Sequence, residues 1–177
     1  MSLIPLVESP AEDRVTVIFT EIEEELGAVP SLFRAHAQHP ALLEANWQMY
    51  RAVMLSGCLS AQLKEGMALA ISADNHCDYG IYHHSATLQG LGVDPKEVLR
   101  IRTDPEHVHY SAKEHALFDL ARHANSAPSD HGERLVIAAR KLGARDDEII
   151  EALGVMELIS GFNHFADLLG LEPQRDR

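Results

Sequence analysis

Four residues near the middle of the chain have types and a spacing that could support chemistry: Glu65, Cys77, Gly80 and His84. A carboxylate that contacts an imidazole fixes the orientation of the ring and raises its basicity, which is the usual arrangement of a general base. A thiol at the opening turn of a helix is stabilised as a thiolate by the backbone N–H groups there. These residue types indicate either proton transfer at Glu65 and His84 or thiol redox chemistry at Cys77.

The spacing predicts which of these side chains can meet. Helix signals on both sides of Asp74 and Asn75 favour an antiparallel helical hairpin, with one of these two residues as the cap of its second helix. With the turn centred there, Glu65 and His84 lie at the same height and face each other if the helical rotation agrees. Cys77 lies about 10 Å from His84 along the helix axis, which is too far for a direct hydrogen bond.

Gly80 lies between Cys77 and His84 on the same face of the second helix. A cysteine here would complete a redox dithiol and would contact His84, whereas glycine predicts a notch that water or a ligand atom could fill. We therefore expect Gly80→Cys to raise any turnover of peroxides. Tyr79 and His83 are further candidates for lining a substrate pocket.

The 11 histidines of the chain predict neither a metal site nor a bound cofactor. His83 and His84 point about 100° apart on one helix, and no set of histidines and cysteines has a familiar zinc spacing. Cys58 and Cys77 make no disulfide framework, because the hairpin separates them by about 21 Å. Cys58 is predicted to have a structural role.

The composition limits the classes of partner. The chain has 177 residues, 46% of them hydrophobic, which suits one globular domain over residues 1–177. A formal net charge of -12 predicts that the protein binds neither nucleic acid nor a membrane, because both would need a basic surface. No signal peptide is visible, and no apolar run approaches the roughly 20 residues that cross a bilayer. We expect a soluble cytoplasmic protein.

Helix signals recur along the chain, and strand signals are weak. Helix starts are predicted at residues 9–12, Pro40, Ser60, residues 94–97 and residues 111–114, and a long helix from about Asp146 to Gly170. Residues 125–130 form the clearest loop. The prediction is an all-α domain of seven to nine helices, built around the antiparallel hairpin.

The segments around the hairpin resemble a known signature, from about Gly27 to Leu171. The hairpin reads LSAQLKEGMALAISADNHCDYGIYHH, preceded by GAVPSLFRAHAQHPALLEA and followed near the end of the chain by FNHFADLLG. This pattern resembles the AhpD-like, carboxymuconolactone decarboxylase superfamily, and more narrowly its "uncharacterized peroxidase-related" branch. The resemblance implies an all-α fold and a homo-oligomer, commonly a trimer or hexamer, with a dimer as the smaller alternative.

The same resemblance assigns roles to the four residues. In AhpD-like peroxidases a glutamate, a first cysteine and a histidine relay protons, and a second cysteine attacks the peroxide. Glu65, Cys77 and His84 match the relay positions, while Gly80 stands at the position of the attacking thiol. The resemblance therefore implies an antioxidant oxidoreductase that reduces a small hydroperoxide through Cys77 alone, with an external thiol as reductant.

Two alternatives stay open on the sequence. Glu65 and His84 could perform non-redox acid/base chemistry on a small carboxylate or lactone, like the decarboxylase side of the superfamily. In that interpretation Gly80 makes room for the substrate. The other alternative is a catalytically silent, oligomeric binding protein.

Overall fold

The computed structural model describes residues 2–173, apart from the side chain of residue 131. Within these residues the structure has nine α-helices and no β-strand, so the all-α prediction is confirmed. In chain order they are α1 (Asp13–Leu26), α2 (Ser31–His36), α3 (Pro40–Tyr50), α4 (Ala61–Asp74), α5 (Asp78–Gly90), α6 (Pro95–Thr103), α7 (Ala112–Ser126), α8 (Pro128–Lys141) and α9 (Asp146–Leu169). A π-helical segment, Arg51–Leu55, continues α3, and a 3-10 turn, Pro105–His107, follows α6.

Helix α4 forms the centre of the larger of two hydrophobic clusters. Residues 63–72 are all buried, and helices α5, α6, α7 and α9 pack around them. A helix buried on every side must find partners inside the protein for its polar residues. Lys64, Glu65 and Ser72 are such residues, and their partners on α5 and α9 define the geometry of the candidate site.

The smaller hydrophobic cluster joins α1, α2 and α3 to the end of α9. Phe33 lies at its centre, with ring centroids 5.6 Å from Trp47, 5.7 Å from Tyr50 and 6.0 Å from Phe162. All three contacts are edge-to-face, a favoured aromatic arrangement. Because α9 contributes to both clusters, it connects the N-terminal helices to the α4–α5 pair.

Helices α4 and α5 position the predicted chemistry. Ser60 caps α4 as predicted, and its hydroxyl accepts a hydrogen bond from the Leu63 N–H at 3.2 Å. Pairs of residues that meet across the two helices follow the order expected where consecutive helices lie antiparallel. These pairs are Gln62 with Leu91, Glu65 with His84, and Ser72 with Gly80.

The turn between α4 and α5 lies further along the chain than predicted. Cys77 is the N-cap residue of α5, and neither Asp74 nor Asn75 caps it. The side chains of these two residues bond to α7 instead, where Arg122 lies 2.7 Å from Asp74 and Asn125 donates to Asn75 at 2.7 Å. Contacts with a distant helix therefore replace the local cap that the sequence indicates.

Two other predicted boundaries are wrong, and two are confirmed. Residues 9–12 form no capping box, because α1 begins at Asp13 and no side chain caps it. The predicted loop over 125–130 is largely helical, since α7 ends at Ser126 and α8 begins at Pro128, where the missing N–H of proline costs no helical bond. The capping box at 111–114 and the long final helix are confirmed.

The longest helix, α9, has 24 residues but carries several carboxylates. Over residues 2–173, no helix is both long enough and apolar enough to cross a membrane. The assignment of residues 1–177 to a single domain stays a prediction.

Candidate active site

Glu65 and His84 form the centre of the candidate site. The Nδ1 atom of His84 lies 2.8 Å from the Oε2 atom of Glu65, which confirms the predicted contact. The two side chains are only 12% and 9% exposed, so that little water competes for the bond. Since a carboxylate can only accept, the shared proton is on Nδ1, and Nε2 of His84 is left as the basic nitrogen.

The Glu65–His84 pair lines a cavity of about 520 Å³. This volume is within the range of small-molecule sites, about 300–1,000 Å³. Most of the wall is apolar and includes Phe33, Met54 and Phe162. No lysine or arginine stands among the described residues that line it, so its ionisable groups are carboxylates, imidazoles and phenols.

Cys77 lies outside this cavity, in the smaller hydrophobic cluster, and is 0% exposed. Its Sγ atom contacts the backbone oxygen of Asn163 at 3.8 Å. Burial raises the pKa of Cys77 to about 12, the backbone N–H of Gly80 opposes that rise, and a hydrogen bond with the Asp167 carboxylate adds to it. The prediction that the helix start favours a thiolate is wrong here, because desolvation outweighs the N–H groups.

Gly80 lines the cavity, but protein atoms occupy the position that a side chain would take there. A Cβ atom added to Gly80 would lie 2.4 Å from Oγ of Ser72 and 2.6 Å from Oδ1 of Asn163. The Ser72 hydroxyl donates to Asn163 Oδ1 at 3.2 Å, and all three residues are buried. The glycine therefore permits α4, α5 and α9 to approach closely beside the cavity.

Tyr79 and His83, the other predicted pocket residues, both line the cavity. Their ring centroids are 4.4 Å apart, and the Tyr79 hydroxyl accepts a hydrogen bond from the Leu32 N–H at 3.2 Å. Burial, together with the nearby His84, lowers the pKa of His83 to about 4, so the His83 ring is neutral at pH 7. The Nε2 atom of His83 is buried and has no hydrogen-bond partner.

Asn163 is the cavity residue that the sequence prediction missed. It lies on α9, is 2% exposed, and its Nδ2 atom is a second buried polar atom without a partner. The available signal was the FNHFADLLG segment, whose similarity to the family's closing helix places this asparagine in the signature. Its position against Gly80 depends on tertiary packing that a pattern within one helix does not contain.

Cys58 belongs to a separate polar cluster. Its N–H and Sγ both donate to Oε2 of Glu151, at 2.7 and 2.9 Å, and Lys64 lies 3.3 Å from the same carboxylate. The hydrogen bond to Glu151 raises the pKa of Cys58 to about 11. Both cysteines are free, as predicted. These contacts join the segment before α4 to α9, which agrees with a structural role.

The histidines far from the cavity are engaged in local contacts. Ring nitrogens lie 2.6 to 3.3 Å from a carboxylate in three pairs: His107 with Asp104, His109 with Glu97, and His115 with Asp119. Within the described part of the chain, no group of three or more His, Cys, Asp or Glu side chains could hold a metal ion.

Sequence comparison matches the middle of the chain to a known family. The model of the carboxymuconolactone decarboxylase family matches residues 40–123, a range that contains the whole α4–α5 signature. This match supports the resemblance of the chain to the AhpD-like, carboxymuconolactone decarboxylase superfamily. No curated protein shows a significant match to the sequence.

Solved structures share the fold at low sequence identity. An uncharacterized peroxidase-related protein from Silicibacter sp. TM1040 has a TM-score of 0.88 and 24% identity, over 98% of this chain and 92% of the other. An AhpD-core protein from Ralstonia eutropha JMP134, also described as peroxidase-related, has a TM-score of 0.82 and 22% identity, with 97% and 94% covered. The debrominase Bmp8 has a TM-score of 0.82 and 17% identity, with 98% and 93% covered. At these identities the similarity shows the fold alone.

Proposed function

We propose that this protein is a non-redox acid/base enzyme, in which the Glu65–His84 pair moves a proton on a small molecule bound in the cavity. The observation that carries the proposal is the 2.8 Å hydrogen bond between two buried side chains that both line a cavity of about 520 Å³. His84 Nε2 would take a proton from a carbon next to a carbonyl, and Glu65 would stabilise the imidazolium that forms. Decarboxylation and lactone chemistry both use proton transfers of this kind.

Hydroperoxide reduction through Cys77 is the second candidate, supported by the peroxidase-related neighbours. In that reaction the Cys77 thiolate attacks the O–O bond, an alcohol leaves, and an external thiol reduces the resulting sulfenic acid. The reaction needs a thiolate that reaches the substrate. Cys77 does not meet this requirement well, because it is buried away from the cavity and its pKa is raised.

The debrominase neighbour supports the idea that the fold accommodates small cyclic molecules. A cysteine-to-alanine variant of Bmp8 has been solved in complex with 2,3,4-tribromopyrrole, with a TM-score of 0.80 and 18% identity to this chain. An apolar cavity of about 520 Å³ in this chain is compatible with a ligand of similar size.

Two assays run side by side test the proposal. One follows deuterium incorporation from D₂O at the α-carbon of small ketones, lactones and carboxylates by NMR. The other follows consumption of cumene hydroperoxide with dithiothreitol as the reductant. We expect exchange with at least one carbon acid, and peroxide consumption no faster than that of a Cys77→Ser variant. Peroxide turnover that needs Cys77, without exchange on any carbon acid, would overturn the proposal in favour of the peroxidase.

We also propose that the protein is a homo-oligomer, on the strength of the family resemblance, and that it is cytoplasmic, because both cysteines are free. A trimer, a hexamer or a dimer would fit the resemblance equally. Light scattering at micromolar concentration measures the mass directly, and a monomer would contradict the proposal.

A further inference from the structure

The cavity beside Glu65 and His84 has two buried polar atoms without hydrogen-bond partners. They are Nε2 of His83 and Nδ2 of Asn163, and both residues line the cavity. Nearly all buried polar groups in native proteins are paired, so two unpaired atoms at one cavity point to a partner that arrives with a ligand. The polar group of this ligand lies in the cavity that the Glu65–His84 pair also lines.

Both unpaired atoms belong to residues that line the cavity close to Gly80. Gly80 lies three residues before His83 and four before His84 on α5, so each histidine is a neighbour of Gly80 on the helix surface, and all three residues line the cavity. The Oδ1 atom of Asn163 lies 2.6 Å from the Cβ position at Gly80, which places this amide against the same face. Ser72 holds Oδ1 through its hydroxyl, so the amide nitrogen remains for a ligand.

The charges at the cavity exclude an anionic ligand. An amide nitrogen is a neutral donor, and a neutral imidazole donates from whichever nitrogen carries its proton. The described lining residues include the carboxylates of Glu25 and Glu65 but no lysine or arginine. A bound carboxylate would therefore lose its hydration and face like charges without a cation. A neutral oxygen that accepts two hydrogen bonds has no such penalty.

We propose that the cavity selects an uncharged, mainly apolar carbonyl compound, whose oxygen accepts hydrogen bonds from Asn163 Nδ2 and His83 Nε2–H. This inference rests on the proposed function and names the substrate class of the same site. The sequence left a small carboxylate and a lactone open as substrates. The inference favours the lactone and extends the substrate class to neutral ketones and esters.

The proton transfer at such a substrate is balanced without a redox partner. His84 Nε2 takes the proton from the α-carbon, and the electron pair of the broken C–H bond forms the C=C bond of an enolate. The negative charge moves to the carbonyl oxygen, where the donors of His83 and Asn163 stabilise it. Return of a proton from His84 to carbon completes the cycle.

A pair of molecules of nearly the same shape tests the charge selection. Phenylacetone and phenylacetate differ only in a methyl group that replaces a carboxylate oxygen. We expect phenylacetone to bind at least about tenfold more tightly than phenylacetate in NMR titrations of the wild-type protein. Equal binding, or tighter binding of phenylacetate, would overturn the inference.

Variants of the two donors test the hydrogen bonds. His83→Phe keeps the ring against Tyr79, and Asn163→Leu keeps the volume, but each removes one donor. We expect each to weaken phenylacetone binding by about tenfold, while the control His115→Phe, far from the cavity, changes it by less than about twofold. Thermal unfolding checks that the variants fold. If both folded donor variants bind phenylacetone as the wild type does, the inference is wrong.

NMR spectra of the wild-type protein with phenylacetone in D₂O distinguish a failure of this inference from a failure of the proposed function. Phenylacetone that binds selectively but shows no enzyme-dependent exchange of its benzylic protons in D₂O would support the substrate class and count against the proposed acid/base role. Exchange on a carboxylate, but on no neutral ketone or lactone, would support the acid/base role and overturn the substrate class.

Discussion

Cys77 and His84 stand on the same helix, seven residues apart, in opposite environments. His84 contacts a carboxylate and lines a cavity, whereas Cys77 belongs to the smaller hydrophobic cluster, hydrogen-bonds with the Asp167 carboxylate and does not line that cavity. Both side chains are largely buried, so burial alone does not distinguish them. A carboxylate stabilises an imidazolium beside it, so His84 can act as a base, while burial and the Asp167 carboxylate hold Cys77 as a neutral thiol.

The largest expected effect is on proton transfer. Glu65→Gln leaves the shape of the site but removes the carboxylate that orients His84, so the exchange rate should fall by about 10²- to 10⁴-fold. Glu25→Gln is the matched control, because Glu25 lines the same cavity and is exposed. The exchange rate of each variant, measured on the same carbon acid, checks this prediction. Equal losses in both variants would mean that general negative charge matters, and not the Glu65–His84 contact.

A substitution at Gly80 should destabilise the fold rather than restore redox activity. The sequence alone predicts that Gly80→Cys raises peroxide turnover, but its Cβ would lie 2.9 Å from Cβ of Ser72 and even closer to the Ser72 hydroxyl and Asn163. We therefore expect Gly80→Cys and Gly80→Ala each to lower the free energy of unfolding by about 1–3 kcal/mol. Urea denaturation measures this change.

Gly161 provides the control for this effect. It lies inside α9, and a Cβ added there meets nothing within 4 Å. Gly161→Ala should therefore raise the free energy of unfolding by up to about 1 kcal/mol, because alanine favours the helix. A Gly80→Ala variant that is also stabilised would show that the space beside Gly80 is open.

The alkaline side of the stability profile should report the environment of Cys77. Its pKa is about 9 when unfolded and is raised to about 12 in the fold. Between these values the unfolded chain loses the thiol proton first, so the free energy of unfolding falls as pH rises above about 9, by up to about 1.4 kcal/mol per pH unit. Urea unfolding of wild type and Cys77→Ala at pH 8 and 10 isolates this slope. Identical slopes in the two proteins would contradict the prediction.

Local patterns were sufficient to predict much of the helical framework. The caps at Ser60 and in residues 111–114 are made within single helix starts, and the sequence places them correctly. The contact between Glu65 and His84 was also predictable, because two helices joined by a short turn bring residues of equal height together. The turn was misplaced, since Asp74 and Asn75 bond to α7 rather than to α5.

The local chemistry of Cys77 and Gly80 could not be predicted from the α4–α5 segment. The surroundings of both residues include α9, where Asn163 and Asp167 lie more than eighty positions further along the chain. A helix start favours a thiolate only when water or a cation is near, and the packing of α9 decides that. Sequence spacing identified the candidate groups, and long-range packing determined which of them line the cavity.

The most direct test of this account compares two single variants on one substrate. We predict that Cys77→Ala keeps the exchange rate of the wild-type protein within about twofold, while His84→Ala loses at least about 100-fold, because His84 is the proposed base and Cys77 lies outside the cavity. The opposite pattern, with activity lost in Cys77→Ala and kept in His84→Ala, would contradict the central claim and assign the chemistry to the thiol.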